Sequence, residues 1–338
     1  MQEIHDKALK SVNTFGLPAQ SKKYTVLEHE TDIPKLLAQI KEADTKPKIM
    51  GGGSNVLLVS KNHDWIIANC LSGIEILEET GTEVQLKVAA GENWHQFVLY
   101  TLQKNWNGLE NLSLIPGKIG AAPIQNIGAY GVEIKDVLNL VHGVNIETGL
   151  PFTFDVKECQ LGYRDSIFKN ELKGKTIITS IEITLKKGGE VNTKYGDIQK
   201  LLDRDGISKP SAKDISNAVI EIRMSKLPDP AELGNGGSFF KNPIIDQAHF
   251  NTFISAHPEA PNYPMEAGKV KVPAGWLIEQ AGWKGFKAGN YGVHNKQALV
   301  LVNYGGAEGS EIADLAQKII GDVQMKFGIQ LEPEINFW

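Results

Sequence analysis

The chain has 338 residues, of which 41% are hydrophobic and 22% charged, and its formal net charge is −5. This length predicts two or three domains of a globular protein, and the acidic balance excludes a global basic field that would hold nucleic acid or an anionic membrane. No apolar run approaches the roughly 18 residues of a membrane span and the N-terminus is polar, so we expect a cytoplasmic protein without membrane partners.

The cysteines and histidines predict neither a disulfide framework nor a metal site. Cys70 and Cys159 are far apart and lack a metal-binding spacing, so we interpret both as small core residues in a reducing compartment. The eight histidines are scattered without a ligand pattern.

The first elements in chain order predict a small α/β unit. Residues 35–43 have a helical pattern, 47–50 form a brief strand and 56–59 a second, buried strand. Between the strands stand Gly51, Gly52, Gly53, Ser54 and Asn55. Consecutive glycines after a strand let backbone N–H groups converge on an anion, although such a run taken alone is more often a plain turn.

The middle third of the chain is predicted to be mostly sheet. Polar and apolar residues alternate over 83–89 and 177–185, as they do in half-buried antiparallel strands. A second segment rich in glycine and alanine, residues 116–131, lies between them and leaves a groove with little side-chain bulk. Either a flat or phosphorylated ligand or a tightly packed loop between domains accounts for it.

Two common nucleotide-binding signatures are missing. No Gly-x-Gly-x-x-Gly occurs, so a Rossmann site lacks its phosphate turn. Gly174, Lys175 and Thr176 resemble the end of a P-loop, but Lys169 occupies the position of its first glycine and a strand-like run follows. We interpret this segment as a turn between strands.

Several polar residues suit a site for an anionic substrate, although each alone is unspecific. The fork of Arg164 suits a carboxylate or enolate oxygen, whereas an arginine beside an aspartate is usually a surface ion pair. Lys226, ahead of a proline-rich turn, can meet a phosphate. Ser238 on a glycine turn and the late carboxylate Glu334 are, together, proton-handling groups.

The last third is predicted to be a separate unit that ends in a helix. Prolines and glycines over 228–237 interrupt regular structure and mark a boundary. Residues 311–327 carry one apolar stripe at helical spacing, with Ser310 as the N-cap and Gly328 as the stop.

In this order the segments resemble the UDP-N-acetylenolpyruvoylglucosamine reductases, a flavoprotein family of bacterial peptidoglycan synthesis. Ten runs carry the resemblance: 13–15, 51–55, 115–133, 163–169, 195–197, 226–230, 236–243, 274–280, 297–300 and 331–334. The run 195–197 and the insertion after it are similar to the larger subtype, in which a tyrosine loop closes over the substrate.

The resemblance implies an α+β fold with a two-part FAD-binding unit of the vanillyl-alcohol-oxidase (PCMH) type, followed by an α+β substrate-binding domain. It implies the following division: an α/β FAD-binding subdomain at 1–75, a mostly antiparallel second subdomain at 76–225, the substrate-binding domain at 226–327 and a tail at 328–338 that returns to the active site. We expect a monomer.

The resemblance also implies a ping-pong reaction in which NADPH reduces non-covalently bound FAD, which then reduces UDP-N-acetylglucosamine enolpyruvate to UDP-N-acetylmuramate. Hydride from flavin N5 adds to C3 of the enolpyruvyl ether and Ser238 protonates C2, with Lys241 or Lys226 as a neighbour that relays or stabilises charge. Arg164 and Glu334 stabilise the enolate, and Glu334 would then need a pKa raised by burial.

The remaining site residues are implied by motif match. Those expected at FAD are Gly51, Gly52, Gly53, Ser54, Asn55, Pro116, Gly117, Gly120, Ala121, Ala122, Tyr130 and Arg223. Those expected at the substrate are Tyr195 and Lys226 at the diphosphate, Asn242 near the nucleotide, and Gln297. The sequence departs from the family at Asn336, where a basic residue is expected, and at Gly236, where alanine is common.

Two other functions stay open on the sequence alone. One is an FAD-dependent alcohol oxidase on the same scaffold, which would not need Ser238, Arg164 and Glu334 together. The other is a non-catalytic nucleotide-sugar sensor, which should have lost a proton-handling residue or the flavin site.

Overall fold

The computed structural model describes all 338 residues, and the chain forms two compact units. Unit 1 comprises Met1–Lys7, Ser21–Gly52 and His63–Ser225, and unit 2 comprises Ala8–Gln20, Gly53–Asn62 and Lys226–Trp338. The four segment bounds inferred from the sequence remain predictions. None of the helices is both long and apolar enough to cross a membrane.

The strands are β1 (Gln2–Ala8), β2 (Gln20–Leu27), β3 (Lys48–Met50), β4 (Val56–Leu57), β5 (Asn62–Asn69), β6 (Ile74–Glu79), β7 (Glu83–Ala89), β8 (Trp106–Asn107), β9 (Gly128–Ala129), β10 (Val132–Glu133), β11 (Leu138–Asn145), β12 (Pro151–Asp155), β13 (Thr176–Lys187), β14 (Gly234–Asn235), β15 (Ile244–Asp246), β16 (Tyr263–Met265), β17 (Lys269–Lys271), β18 (Lys287–Ala288), β19 (Tyr291–Val293), β20 (Leu301–Asn303) and β21 (Asn336–Phe337). The helices are α1 (Ile33–Glu42), α2 (Trp94–Gln103), α3 (Gly196–Arg204), α4 (Ala212–Lys226), α5 (Gln247–Ala256), α6 (Ala274–Gln280) and α7 (Gly309–Phe327).

The first sheet of unit 1 has the strand order β1-β2-β5-β3, and β3 runs parallel to β5. Helix α1 buries Ile33, Leu36 and Ile40, which share one face of a helix at this spacing. They pack with Leu27 and Ile67 of the neighbouring strands. The predicted helix and first strand are confirmed, although the helix begins two residues earlier. The strand predicted over 56–59 is shorter, and it pairs with β21 in unit 2 and does not join this sheet, so that part of the predicted unit is wrong.

The second sheet of unit 1 is antiparallel, in the order β12-β11-β13-β7-β6. Its central strand β13 has 12 residues and pairs Ile181 with Val141 on one side and with Val88 on the other. The strands predicted over 83–89 and 177–185 are confirmed. Gly174, just before β13, has φ 70°, which confirms the predicted turn.

Helices α3 and α4 complete unit 1, and neither is predicted from the sequence. Ile198 and Leu202 of α3 pack with Ile215, Val219 and Ile222 of α4. The prediction that the middle third is mostly sheet therefore misses this segment. These two helices are stabilised by burying their apolar faces against each other. The helix propensities of the individual residues do not predict this packing.

Unit 2 contains a sheet of order β14-β20-β19-β18, a second of order β15-β17-β16 and the parallel pair β21-β4. In that pair Asn336 lies opposite Val56 and Phe337 opposite Leu57. The pairing holds the C-terminal segment beside the strand that follows the first glycine run.

Helix α7 buries the predicted apolar stripe, and Gly328, whose φ is 69°, caps its C-terminus as predicted. Its N-cap is Glu308, so the prediction of Ser310 is wrong. Glu308 and Glu311 form a reciprocal capping box, and the helix begins at Gly309, where any Cβ would overlap the carbonyl oxygen of Leu58.

The two cysteines differ in environment. Cys159 is buried, as expected, and burial raises the pKa of its thiol to about 12. Cys70 is half-buried, and Nζ of Lys118 lies 3.5 Å from its Sγ. The interpretation of Cys70 as a second core residue is therefore wrong.

Candidate functional site

Two glycine-rich loops of unit 1 lie against each other. Gly51 and Gly52 follow β3, and a Cβ on Gly52 would lie 3.1 Å from Cα of Gly117. Gly117 has φ 120°, a conformation that side chains rarely adopt. Because these glycines have no side chains, the backbone of both loops can approach a phosphate group or a flat ring closely.

Packing explains some of the small residues in the second loop. The N–H of Gly120 donates to the carbonyl oxygen of Ala90 at 2.8 Å. A Cβ on Gly120 would lie 2.6 Å from Cβ of Ala90, and Ala122 is 1% exposed. Pro116 is exposed and Ala121 half-buried. Contact with FAD remains a prediction for all four loop residues, and the exposed position fits it better than the buried ones do.

The rest of the first glycine run lies in unit 2. Gly53 has φ 64°, and a Cβ there would overlap the carbonyl oxygen of Val12, so only glycine fits. Ser54 is half-buried. Asn55 donates from Nδ2 to the carbonyl oxygen of Glu334 at 3.3 Å. The run is therefore bonded directly to a residue predicted to be catalytic.

Four predicted site residues lie together in unit 1: Arg164, Arg223, Tyr130 and Tyr195. Arg164 has φ 54° and donates from Nη2 to the carbonyl oxygen of Gly128 at 2.6 Å. Arg223 bonds to the Tyr130 side chain, and burial, together with the charge of Arg164, lowers its pKa. Two guanidinium groups in range of each other favour a bound anion.

Tyrosine rings extend this cluster. The centroids of Tyr130 and Tyr195 are 5.0 Å apart, edge to face, and the Tyr195 ring remains 41% exposed. An edge-to-face contact of this kind holds the two rings in a defined relative orientation.

Asn111 belongs to the same cluster, although it is not among the site residues predicted from the sequence. It is 1% exposed, and Nδ2 donates to the carbonyl oxygens of Tyr130 and Asn192, each at 3.0 Å. Its Oδ1 is buried without a protein partner. Asn111 therefore ties the segment before Tyr195 to the turn at Tyr130. No sequence motif marks this residue, which stands between Glu110 and Leu112.

Ser238 is exposed at the surface of unit 2 on a tightly held turn. Gly237, before it, has φ 72° and donates its N–H to Oδ1 of Asn235 at 2.8 Å. Phe239, after it, is fully buried and donates its N–H to the carbonyl oxygen of Leu299 at 2.8 Å. The hydroxyl therefore stands between two fixed peptide groups.

Backbone pairing brings Ser238 and Glu334 into neighbouring segments. The N–H of Glu334 donates to the carbonyl oxygen of Phe239 at 2.8 Å, and Phe240 and Pro333 form an antiparallel bridge. Glu334 is half-buried. Lys241, expected as a neighbour of Ser238, forms an ion pair with Glu332 at 3.5 Å.

The predicted substrate contacts Asn242 and Gln297 meet at the start of α6. Oδ1 of Asn242 accepts the N–H of Ala274 at 2.9 Å, and Oε1 of Gln297 would lie 3.1 Å from a Cβ on Gly275. Asn242 therefore also caps this helix. Lys226 is exposed as the last residue of α4.

Gly236 allows the turn before Ser238 to pack closely, and this leads to a prediction about stability. A Cβ there would lie 2.7 Å from Cε2 of Phe15 and 2.8 Å from Cδ1 of Ile335. We expect Gly236→Ala to lower the free energy of unfolding by about 1–3 kcal/mol, because both neighbours are buried. Urea unfolding measures the change.

Gly321→Ala is the matched control. Gly321 is exposed within α7 and a Cβ there would meet nothing within 4 Å, so alanine should stabilise by about 0.5–1 kcal/mol. Equal unfolding midpoints for Gly236→Ala and the unmodified protein would contradict the packing argument.

Family models match both parts of the chain. One described as UDP-N-acetylenolpyruvoylglucosamine reductase, C-terminal domain, matches residues 229–338, and one described as FAD binding domain matches 22–149. The chain is similar to the UDP-N-acetylenolpyruvoylglucosamine reductases of Flavobacterium johnsoniae, at 49% identity, and Chromobacterium violaceum, at 47%. Each alignment covers 97% of this chain and 97% of the relative.

Solved structures agree on the fold. The UDP-N-acetylenolpyruvylglucosamine reductase of Thermus caldophilus superposes with a TM-score of 0.66 at 20% identity, over 100% of this chain and 98% of that one. A VAO-type flavoprotein of Myceliophthora thermophila gives 0.50 at 11% identity, over 95% of this chain and 73% of that one. At such identities the likeness shows the fold alone, and the predicted fold class is confirmed.

Proposed function

The chain belongs to the family of UDP-N-acetylenolpyruvoylglucosamine reductases, and from this premise we propose how its residues divide the reaction. The reaction reduces UDP-N-acetylglucosamine enolpyruvate to UDP-N-acetylmuramate in peptidoglycan synthesis, with FAD and NADPH. The expected activity and cofactors are thus confirmed, and the oxidase and sensor alternatives have no support.

The glycine-lined loops fit FAD. A Cβ on Gly52 would lie only 3.1 Å from Cα of Gly117, and Gly53 and Gly117 have backbone angles that favour glycine. We assign these loops to the cofactor because their backbone N–H groups can approach phosphate oxygens. Bound FAD supplies two-electron transfer from NADPH to the enolpyruvyl group.

Ser238 is the proposed proton donor to C2. Reduction at C3 leaves negative charge on C2 and its carboxylate, and this basic carbon needs a proton from a group held at a fixed place. The exposed hydroxyl between two anchored peptides suits that task. A serine is a weak acid, so the carbon must be strongly basic when the proton moves.

Arg164 and Glu334 are the proposed stabilisers of the developing charge. The Arg164 side chain is oriented by the Gly128 carbonyl and lies in a cluster that favours anions. Glu334 is held through its N–H by Phe239 and through its carbonyl by Asn55. The pairing of the Ser238 and Glu334 segments is the observation that carries the assignment. Each of these side chains stands on a segment held by backbone hydrogen bonds within its own unit, and a group held in this way acts without reorganising during the reaction.

The substrate's other groups are assigned by chemistry. Tyr195 and Lys226 suit the diphosphate, and Asn242 and Gln297, at the start of α6, suit the uridine and sugar. We further propose a cytoplasmic location, because NADPH and nucleotide sugars are held inside the cell, and a monomeric state, which sedimentation velocity tests.

The first test is a spectrum of the purified protein followed by anaerobic additions. We expect flavin absorbance that bleaches with NADPH and returns only with UDP-N-acetylglucosamine enolpyruvate. A protein unable to take up FAD would refute the proposal, and recovery with oxygen but not with the enolpyruvyl sugar would indicate an oxidase instead.

A further inference from the structure

Leu114 has an unusual backbone just ahead of the second glycine-rich loop. Its φ is 58°, in the left-handed region that a leucine rarely adopts. Its N–H donates to Nδ1 of His95 at 3.0 Å, and its carbonyl oxygen accepts from Nε of Arg223 at 3.2 Å. Two side chains, His95 of α2 and Arg223 of α4, therefore hold the peptide groups of Leu114.

The first two residues of α2, Trp94 and His95, form hydrogen bonds with the backbone of residues 112–117, the segment that leads into the second glycine-rich loop. The indole Nε1 of Trp94 donates to the carbonyl oxygen of Leu112 at 2.9 Å. The backbone N–H of Trp94 donates to the carbonyl oxygen of Gly117 at 3.1 Å. The His95 bond to Leu114 lies between these two points. Because Gly117 faces Gly52 in the same unit, a change in the path of 112–117 would alter the spacing of the two loops.

The His95 bond is the one in this set that depends on protonation near neutral pH. Nδ1 accepts an N–H only when it carries no proton itself, so the ring must be neutral with its proton on Nε2. Burial, and then the charge of Arg223, lowers the pKa of His95. Arg223 is the charged group that faces His95. Arg223 in turn forms a hydrogen bond with the Tyr130 side chain and is repelled by the positive charge of Arg164. A protonated imidazolium ring could not accept the Leu114 N–H, and its positive charge would repel the guanidinium group of Arg223.

We propose that His95 is a positioning residue for FAD: its neutral ring, with Arg223, holds Leu114 in the left-handed conformation and so sets the path of the cofactor loop. This rests on the proposed assignment of that loop to FAD. The sign of the pH dependence follows. Since folding favours the neutral ring, the geometry is retained above pH ~6.5 and lost as the pH falls through the depressed pKa of His95.

The experiment removes FAD from the purified holoenzyme and measures its rebinding by flavin fluorescence at pH 8.0 and pH 5.0. We expect His95→Leu, which offers no acceptor, to weaken FAD binding about 10- to 100-fold at pH 8.0. Asparagine can place an oxygen near the Nδ1 position and does not titrate. His95→Asn should therefore bind within about threefold of the unmodified protein at pH 8.0.

The pH comparison separates positioning from simple packing. The unmodified protein should bind FAD about 3- to 10-fold more weakly at pH 5.0, whereas His95→Asn should lose this difference. His142→Asn is the matched control: that ring bonds to Thr153 and Glu182 on the sheet, and its variant should keep the pH difference.

The outcomes distinguish this proposal from the function on which it rests. Unchanged binding in His95→Leu, or a persistent pH difference in His95→Asn, would overturn the role of His95 and leave the reductase intact. If His95→Leu does not fold, the pH profile of His95→Asn alone decides. Failure of the unmodified protein to rebind FAD would instead refute the assignment of the loop.

Discussion

Ser238→Ala should slow reoxidation of the reduced enzyme by UDP-N-acetylglucosamine enolpyruvate by about 10³- to 10⁴-fold, while reduction by NADPH should change by less than about threefold. The reason is that the proton transfer proposed for this hydroxyl belongs to the second half-reaction, in which the substrate is reduced. The alanine fits the site, because Ser238 is exposed and the turn is held by Gly237 and Phe239. Stopped-flow absorbance of the flavin measures the two half-reactions separately.

Two further variants make this result specific. Ser238→Cys keeps an ionisable proton at the same position and should recover part of the lost rate. Ser255→Ala removes another serine of unit 2, on helix α5, and should leave both half-reactions unchanged. If Ser238→Ala slowed both half-reactions equally, Ser238 would be a packing residue and the proton donor would lie elsewhere.

Local patterns predict much of the fold. The strands over 83–89 and 177–185 and the stripe of α7 follow from periodicity, since each buries the face that its spacing defines. Glu308 as the cap of α7 is harder to foresee, because the packing of Gly309 against Leu58 decides where the helix begins. Helices α3 and α4 likewise depend on contacts made only after folding.

Some residues of the candidate site can likewise be predicted from the sequence and others cannot. Its glycines and its Ser238 turn stand in recognisable runs, whereas His95 and Asn111 act through hydrogen bonds to peptides 19 or more positions away in the chain. A histidine at a helix start and a buried amide give no sequence pattern that names their partners. Nonlocal polar contacts of this kind emerge only from the folded structure.

Glu334→Gln is expected to slow the same second half-reaction by about 10²- to 10³-fold and to leave reduction by NADPH nearly unchanged. Glutamine preserves the shape of the side chain, and the backbone bonds of Glu334 to Phe239 and Asn55 do not depend on it. It can still donate a hydrogen bond, but it cannot share a proton with the enolate. Stopped-flow absorbance of the flavin measures both half-reactions.

Glu332→Gln provides the control for charge in this segment. Glu332 is exposed and pairs with Lys241 at 3.5 Å, so its loss should change either half-reaction by less than about threefold. Equal damage from the two variants would mean that the net charge of the tail matters and that Glu334 has no particular role. Damage from Glu334→Gln alone would instead assign the effect to the carboxyl group of Glu334, whose backbone N–H bonds to the carbonyl oxygen of Phe239 in the neighbouring segment.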